Sequence, residues 1–313
     1  MDDADRQGSN GRTPVGPIAS RMTATAVLLV VLSAATHAYW NFLLKRSGGS
    51  QLFVGLSKVG EVVMFAPAFL LLVAPNVARY DGLLFLSTIG ATFVLLNYVC
   101  LAWAYGHGDL SSVYPVARGG ILLFLPVLAY ATVGERVSVV GVAALALIVF
   151  GIVALQLPTL QWGAVASLGS RLRSPATAFA LMAAFGAACY TIWDKRSVQR
   201  VPAFAYMYVY TAITAVAYGA FIWRRYPRAD VAAEWRRNRS AILQVGFFNI
   251  TSYLLVLFAL RTGTSSYVVA LRQLSIVVGV ALGAMVLREH ISRAKLVGVV
   301  LITTGCVVVG TVP

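Results

Sequence analysis

Residues 83–105 read LLFLSTIGATFVLLNYVCLAWAY, 23 residues without one charged side chain. A bilayer's hydrocarbon core is about 30 Å thick, so a helix rising 1.5 Å per residue crosses it in about 20 apolar residues. The stretch therefore reads as a membrane span. Comparable runs occur at 23–44, 52–73, 111–131, 138–157, 175–193, 202–223, 241–260, 265–287 and 293–312, which makes ten spans. Polar punctuation separates them, as at Lys45-Arg46-Ser47-Gly48-Gly49, Gly106-His107-Gly108-Asp109 and Arg288-Glu289-His290. Spanning backbone must satisfy its own hydrogen bonds, in helices or in a closed barrel. These runs are long and continuous, unlike the short alternating strands of a barrel. The expected fold class is all-α integral membrane, with ten transmembrane helices.

Composition agrees. Of 313 residues 59% are apolar and 12% charged, against roughly 25% charged in a soluble domain. The mean hydropathy is +0.79. Cys100, Cys189 and Cys306 all fall inside apolar spans and form neither a disulfide framework nor a metal-ligand spacing. No cofactor and no metal are expected. Residues 1–22 form a polar tail expected to be disordered. Arg21 before the apolar run from Ala24 imitates a secretory signal, but nine further spans favour a retained first helix. Net charge is +14, and basic residues mark the cytoplasmic loops of membrane proteins. With ten spans both termini lie on one side. If that side is cytoplasmic, the inside segments hold nine Lys/Arg and the outside loops 13, because six arginines fall between Arg224 and Arg239. The count favours external termini.

The chain is internally duplicated. Lys45-Arg46-Ser47 after span one recurs as Lys195-Arg196-Ser197 after span six. Ser112-Val113-Tyr114-Pro115-Val116-Ala117-Arg118 aligns with Ser266-Tyr267-Val268-Val269-Ala270-Leu271-Arg272. At the same offset Gly134-Glu135-Arg136-Val137-Ser138 meets Arg288-Glu289-His290-Ile291-Ser292, and Gly151 meets Gly305. The expected organisation is a first repeat over 23–157, a linker over 158–174 and a second repeat over 175–313. Five crossings per repeat make the second copy enter from the opposite face. Such inverted repeats are typical of secondary transporters, whose substrate site lies near the midplane between them.

These segments resemble the EamA-type members of the drug/metabolite transporter superfamily. The resemblance is carried by Thr36-His37-Ala38-Tyr39-Trp40-Asn41-Phe42-Leu43-Leu44-Lys45, by Ser112–Gly119 and by the two Glu-containing turns, each followed by a Gly-bearing last helix. It covers residues 23–312. It implies ten helices around a central cavity, cytoplasmic termini in the cell membrane, and export or exchange of small metabolites. On termini it stands against the Lys/Arg count. In phosphate-transporting relatives basic residues of the ninth helix contact substrate, and Arg272 lies on that helix here.

A charged side chain at the centre of a spanning helix costs roughly 2.5–3.5 kcal/mol on insertion scales, so each one needs a reason. Lys58, Arg118 and Arg272 qualify. The two arginines occupy equivalent places in the repeats, each about 10 Å into its helix. Together they could hold a carboxylate or phosphate through the planar fork of the guanidinium. They could equally tie helix ends together, through Glu135 or Glu289, or snorkel to the interface. Glu61 is the one acid that reads as well inside a span, three residues after Lys58. An ion pair is the economical reading and a proton-coupling site the functional one. His37, Trp40 and Asn41 in span one, Asn97 in span three (with Trp103 and Tyr105 beyond it), Tyr114 in span four, and Asn249 and Tyr253 in span eight complete the candidate substrate-binding set. For each amide, helix-to-helix hydrogen bonding is the alternative. Tyr190 and Tyr267 are further aromatics that could stack on substrate or anchor the interface. Pro67, Pro115 and Pro126 suggest kinks, and Gly279 with Gly283 a close helix contact.

Other functions fit less well. His37, His107 and His290 are widely separated, with no HExxH or GxSxG pattern, so an enzyme is not expected. The absence of a Walker-type loop excludes a nucleotide-driven pump. A lipid flippase or lipid-binding scaffold is the alternative, with the basic segment 224–239 on anionic headgroups. Expected partners are a small-molecule substrate and membrane lipid, not nucleic acid; a homodimer is compatible with the sequence.

Overall fold

A computed structural model describes residues 22–48, 50–108, 110–157, 174–288 and 290–311, without the side chains of 110–112 and 287. The tail expected to be disordered, most of the linker and Glu289 lie outside the described residues. The helices are α1 (Ala24–Arg46), α2 (Gln51–Leu72), α3 (Leu83–His107), α4 (Leu110–Val133), α5 (Val139–Gln156) and α6 (Pro175–Arg200). They continue with α7 (Ala203–Arg225), α8 (Arg228–Thr262), α9 (Ser265–Arg272), α10 (Leu274–Leu287) and α11 (Arg293–Thr311). A 3-10 turn, Ala74–Arg79, links α2 to α3. Among the described residues there is no strand, and ten spans are long and apolar enough to cross a membrane, α9 and α10 together making the ninth.

Local chemistry sets the ends. Thr23, Ser50, Ser138 and Ser174 each accept from the backbone N–H three residues on, as side-chain N-caps do. Gly134 follows α4 with φ of 71°, a left-handed conformation glycine adopts without a Cβ clash. That turn aims Glu135 back across the bundle. Leu71, Val127, Val139 and Met285 are each two-thirds or more exposed, an outward apolar surface suited to lipid and not to water.

The helices pack in pairs that exchange when the halves are swapped. α5 lies against α11, and α2 against α7. The α1–α8 contact has its counterpart in α6–α3, α2–α8 in α7–α3, and α4–α6 in α9/α10–α1. Glycines make the α5–α11 crossing close. A Cβ on Gly298 would lie 2.7 Å from the Gly151 carbonyl oxygen, and one on Gly305 2.8 Å from that of Ala144. Gly279, half of the expected close contact, has nothing within 4 Å of where its Cβ would sit. Packing without an aqueous driving force depends on such backbone approach, and the contact belongs to Gly151 and Gly298 instead.

Two further expectations change. The eighth span, read as 241–260, is the far part of a 35-residue helix about 50 Å long, and most of the basic segment 224–239 is its first turns. The prolines do not interrupt their helices: α2 runs through Pro67, and α4 through Pro115 and Pro126. The break falls at Gln273, where Gln273 N–H bonds the Ala270 carbonyl and Ile276 N–H the Gln273 carbonyl, tightening the ladder between α9 and α10. Discontinuous helices in transporters commonly adjoin the substrate site.

Candidate substrate site

Arg272 closes α9, directly before that break. Counted from Ser265 it stands about 10 Å inside the bundle from the face carrying residues 134–138 and 263–264, hereafter face A. Its Nη2 donates to His37 Nδ1 at 3.1 Å, and its guanidinium carbon lies 5.3 Å from the centre of the Tyr253 ring. A guanidinium only donates, so Nδ1 accepts and a neutral His37 carries its proton on Nε2. That Nε2 has no hydrogen-bond partner in the protein. Neither has Trp40 Nε1, whose ring stands edge-on to His37 at 5.0 Å, nor Arg272 Nε. All three atoms are buried N–H groups, and such donors are paired in the large majority of cases. Leaving one unpaired costs about 1–3 kcal/mol. Two further buried atoms of α9 and the break are unpaired, Ser266 Oγ, which can donate or accept, and Gln273 Oε1, an acceptor, so donors outnumber acceptors among the unpaired atoms.

Arg118 comes from the other half. Its guanidinium carbon lies 5.7 Å from the Tyr114 ring centre on its own helix, and its charge acts on both His37 and Arg272. Glu135 holds neither arginine. Its carboxylate is paired with Lys195 and accepts from Ser265 N–H at 2.9 Å and Ser265 Oγ at 3.1 Å. Lys195 also donates to the Gly263 carbonyl at 2.7 Å. This knot ties α6 to the α4–α5 turn and to the start of α9, beside a cavity of about 850 Å³ on face A lined by Arg196, Gln199, Arg200 and Arg261 among others.

The remaining candidates divide. Lys58 and Glu61 form the ion pair their spacing predicts, at 2.9 Å, and Asn249 donates to the same carboxylate at 2.8 Å. Asn249 is thereby committed to that pair and not to the arginine cluster. Asn97 donates to the Ala183 carbonyl at 2.6 Å, joining α3 to α6. Asn41 donates to the His37 carbonyl one turn back at 2.7 Å. Trp103 is 56% exposed against Phe179 and adds nothing to an interior cavity. Tyr267 is neither stacking platform nor interface anchor. It is fully buried, its hydroxyl accepting from Ser138 N–H at 3.2 Å.

The sequence reading misses one residue. Asp194 is 2% exposed, inside α6, so Glu61 is not the one acid within a span. Its Oδ1 accepts from Tyr206 Oη at 2.5 Å and its Oδ2 from Tyr253 Oη, the tyrosine on which Arg272 lies. Gly90 gives Tyr206 its place, since a Cβ there would sit 2.1 Å from the hydroxyl. The apolar run of span six ends at Trp193, so Asp194-Lys195-Arg196 looks like a polar terminus. The helix in fact continues to Arg200.

Residues 174–311 match the family model of the EamA-like transporter family. That match covers the second half of the chain, which is similar to the EamA-like transporter family. One solved crystal structure resembles this chain with a TM-score of 0.68 and 18% identity, over 92% of this chain and 96% of the other. At that identity the likeness speaks to the fold. No curated protein matches the chain in sequence. Arg272, His37, Trp40 and Tyr253 gather at the break in the ninth span.

Proposed function

We propose that this protein is an EamA-type transporter that moves a small anionic or zwitterionic metabolite across the cell membrane, as an exporter or exchanger, by alternating access. The observation that carries the reading is the triad of buried, acceptor-less donors, His37 Nε2, Trp40 Nε1 and Arg272 Nε. A carboxylate or phosphate oxygen supplies what all three lack, and Arg272 with Arg118 supplies the opposing charge. The exchange of packing pairs between halves supports two inverted five-helix repeats rocking about this cluster. The knot of Glu135, Lys195 and Ser265 would then hold face A shut.

The test is thermal stability of the detergent-purified protein with succinate, L-glutamate, glycerol 3-phosphate, glucose and choline. A ligand at a hundredfold excess over its dissociation constant stabilises the folded state by about 2.7 kcal/mol. Stabilisation by at least one of the first three, lost in Arg272→Ala and reduced in Arg118→Ala, is expected. Stabilisation only by glucose or choline, or equally in both variants, overturns the assignment.

A further inference from the structure

We propose that Asp194 is a proton-binding site that couples proton movement to the anion held at Arg272, through the hydroxyl of Tyr253. The inference rests on the transporter reading above and extends it to the energy source.

The carboxylate is unusual among the buried charges of the bundle. Glu61 is matched by Lys58, and Glu135 by Lys195. Among the described residues no Lys, Arg or His lies within 4.0 Å of Asp194; two tyrosine hydroxyls are its hydrogen-bond partners. The elements packed around α6 bring few other charges. From α7 come Tyr206 and Tyr210, from α8 Tyr253, and from α9 the guanidinium of Arg272, which acts on Asp194 electrostatically. Tyr190 lies one turn back on α6 itself. Arg118 on α4 and Tyr98 on α3 act on Tyr190, and not on Asp194 directly. Lys195, the next residue, is turned away to Glu135.

The geometry makes proton and anion binding interdependent. As a carboxylate, Asp194 accepts from both tyrosines and its negative charge opposes an anion at Arg272. A proton on Oδ2 adds a donor and leaves that oxygen a weaker, uncharged acceptor, so its hold on the Tyr253 hydroxyl loosens and the bond is free to reverse. The Tyr253 O–H is then held less tightly by Asp194, and the opposing charge is gone. One proton and one anionic charge then occupy the site together, each raising the affinity of the site for the other, and this reversible co-transport yields export where the outward anion gradient exceeds the inward proton gradient. Asp194 lies on the face A side of the cluster, six residues from the end of α6, with the vestibule beyond Lys195 as the route to water.

Two measurements test this. Acid-minus-alkaline infrared difference spectra of the purified protein should contain a protonated-carboxyl band that disappears in Asp194→Asn, persists at a shifted frequency in Tyr253→Phe, and is unaffected by Glu61→Gln. This arm needs no substrate. In proteoliposomes with succinate, L-glutamate and glycerol 3-phosphate as probes, the ratio of flux with a pH gradient to flux without should exceed one in the wild type. It should fall to one in both Asp194→Asn and Tyr253→Phe. Anion affinity should rise as pH falls, by up to about tenfold per pH unit, the limit for a single linked proton. No band assignable to Asp194, or undiminished gradient stimulation in Asp194→Asn and Tyr253→Phe, overturns the coupling while Arg272-dependent ligand stabilisation would leave the transporter reading intact. A band lost in Asp194→Asn with no probe bound or moved upholds the proton site and removes the anion reading instead.

Discussion

Glu61→Gln, Lys58→Met and their combination put the buried pair of α2 to a quantitative test. Lys58 is 8% exposed and Glu61 1%, with the ammonium 2.9 Å from the carboxylate and Asn249 donating at 2.8 Å. In so dry a setting the attraction of the charges and their desolvation nearly cancel, so the pair itself contributes little. Removing one partner is different, because the other charge stays behind uncompensated, at a cost of about 3–5 kcal/mol. Asn249→Ala removes a hydrogen bond to a charged group, worth about 1.5–3 kcal/mol. Equilibrium unfolding of the purified protein in mixed micelles, followed by circular dichroism, should show each single variant destabilised by those amounts. The combined Lys58→Met with Glu61→Gln, which leaves Asn249 an amide oxygen to donate to, should lie within about 1 kcal/mol of the wild type, a coupling that additive sites cannot produce. Single losses that simply sum in the double variant would refute the reasoning. So would a Glu61→Gln protein that is fully stable but has lost gradient-driven flux, which would move the coupling carboxylate from Asp194 to Glu61.

Four other outcomes follow from the geometry. Gly298→Ala must push α5 and α11 apart, since its Cβ would meet a backbone oxygen at 2.7 Å, and should cost about 1–3 kcal/mol by the same unfolding measurement. Gly279→Ala, with open space around it, should be neutral or stabilising by about 1 kcal/mol or less. Arg272→Lys keeps the charge but loses the planar stack on Tyr253 and the fork that reaches His37, so ligand-induced thermal stabilisation should fall nearly as far as in Arg272→Ala. Glu135→Gln weakens the knot at face A, and a cysteine placed at Ser266, buried beside Ser265 of the knot, in a background without Cys100, Cys189 and Cys306 should then react faster with an impermeant maleimide.

The scaffold was legible because lipid leaves few choices. Span length is fixed by bilayer thickness, and the ten helices fall within a few residues of the apolar runs wherever a run is bounded by charge on both sides. The exceptions share a cause. At the start of α8 and the end of α6 the helix continues into polar sequence, where hydropathy loses sight of it although the backbone ladder persists. Asp194 was hidden by that effect. Arg272, His37, Trp40 and Tyr253 were visible as polar or aromatic residues inside spans, but which partners they choose depends on helix rotation, which spacing alone does not supply. Asn97 and Asn249 show the converse. The same signal marked them, and packing commits their amides to a backbone carbonyl and to Glu61. The prolines misled because a ring within a helix costs one hydrogen bond, and α2 and α4 absorb that cost without a break.

The contrast between scaffold and site is itself informative. Packing pairs exchange between halves, and the Lys-Arg-Ser ends and Glu-bearing turns recur in the sequence. The charges at the centre do not follow this pattern. Arg118 and Arg272 occupy equivalent positions, yet Arg272 lies on Tyr253 and bonds His37, whereas Arg118 lies on a tyrosine of its own helix. The position of Asp194, counted back from Lys195, corresponds in the first half to Leu44, which carries no charge. Two symmetrically placed carboxylates would give a proton equivalent sites in both orientations of a rocking pair of repeats. A single one, near face A and wired to one arginine through one tyrosine, makes the two orientations chemically different. If the halves rock as proposed, the gradients of proton and anion set the direction of net flux, and the single carboxylate sets how tightly the two are linked and from which face the proton enters.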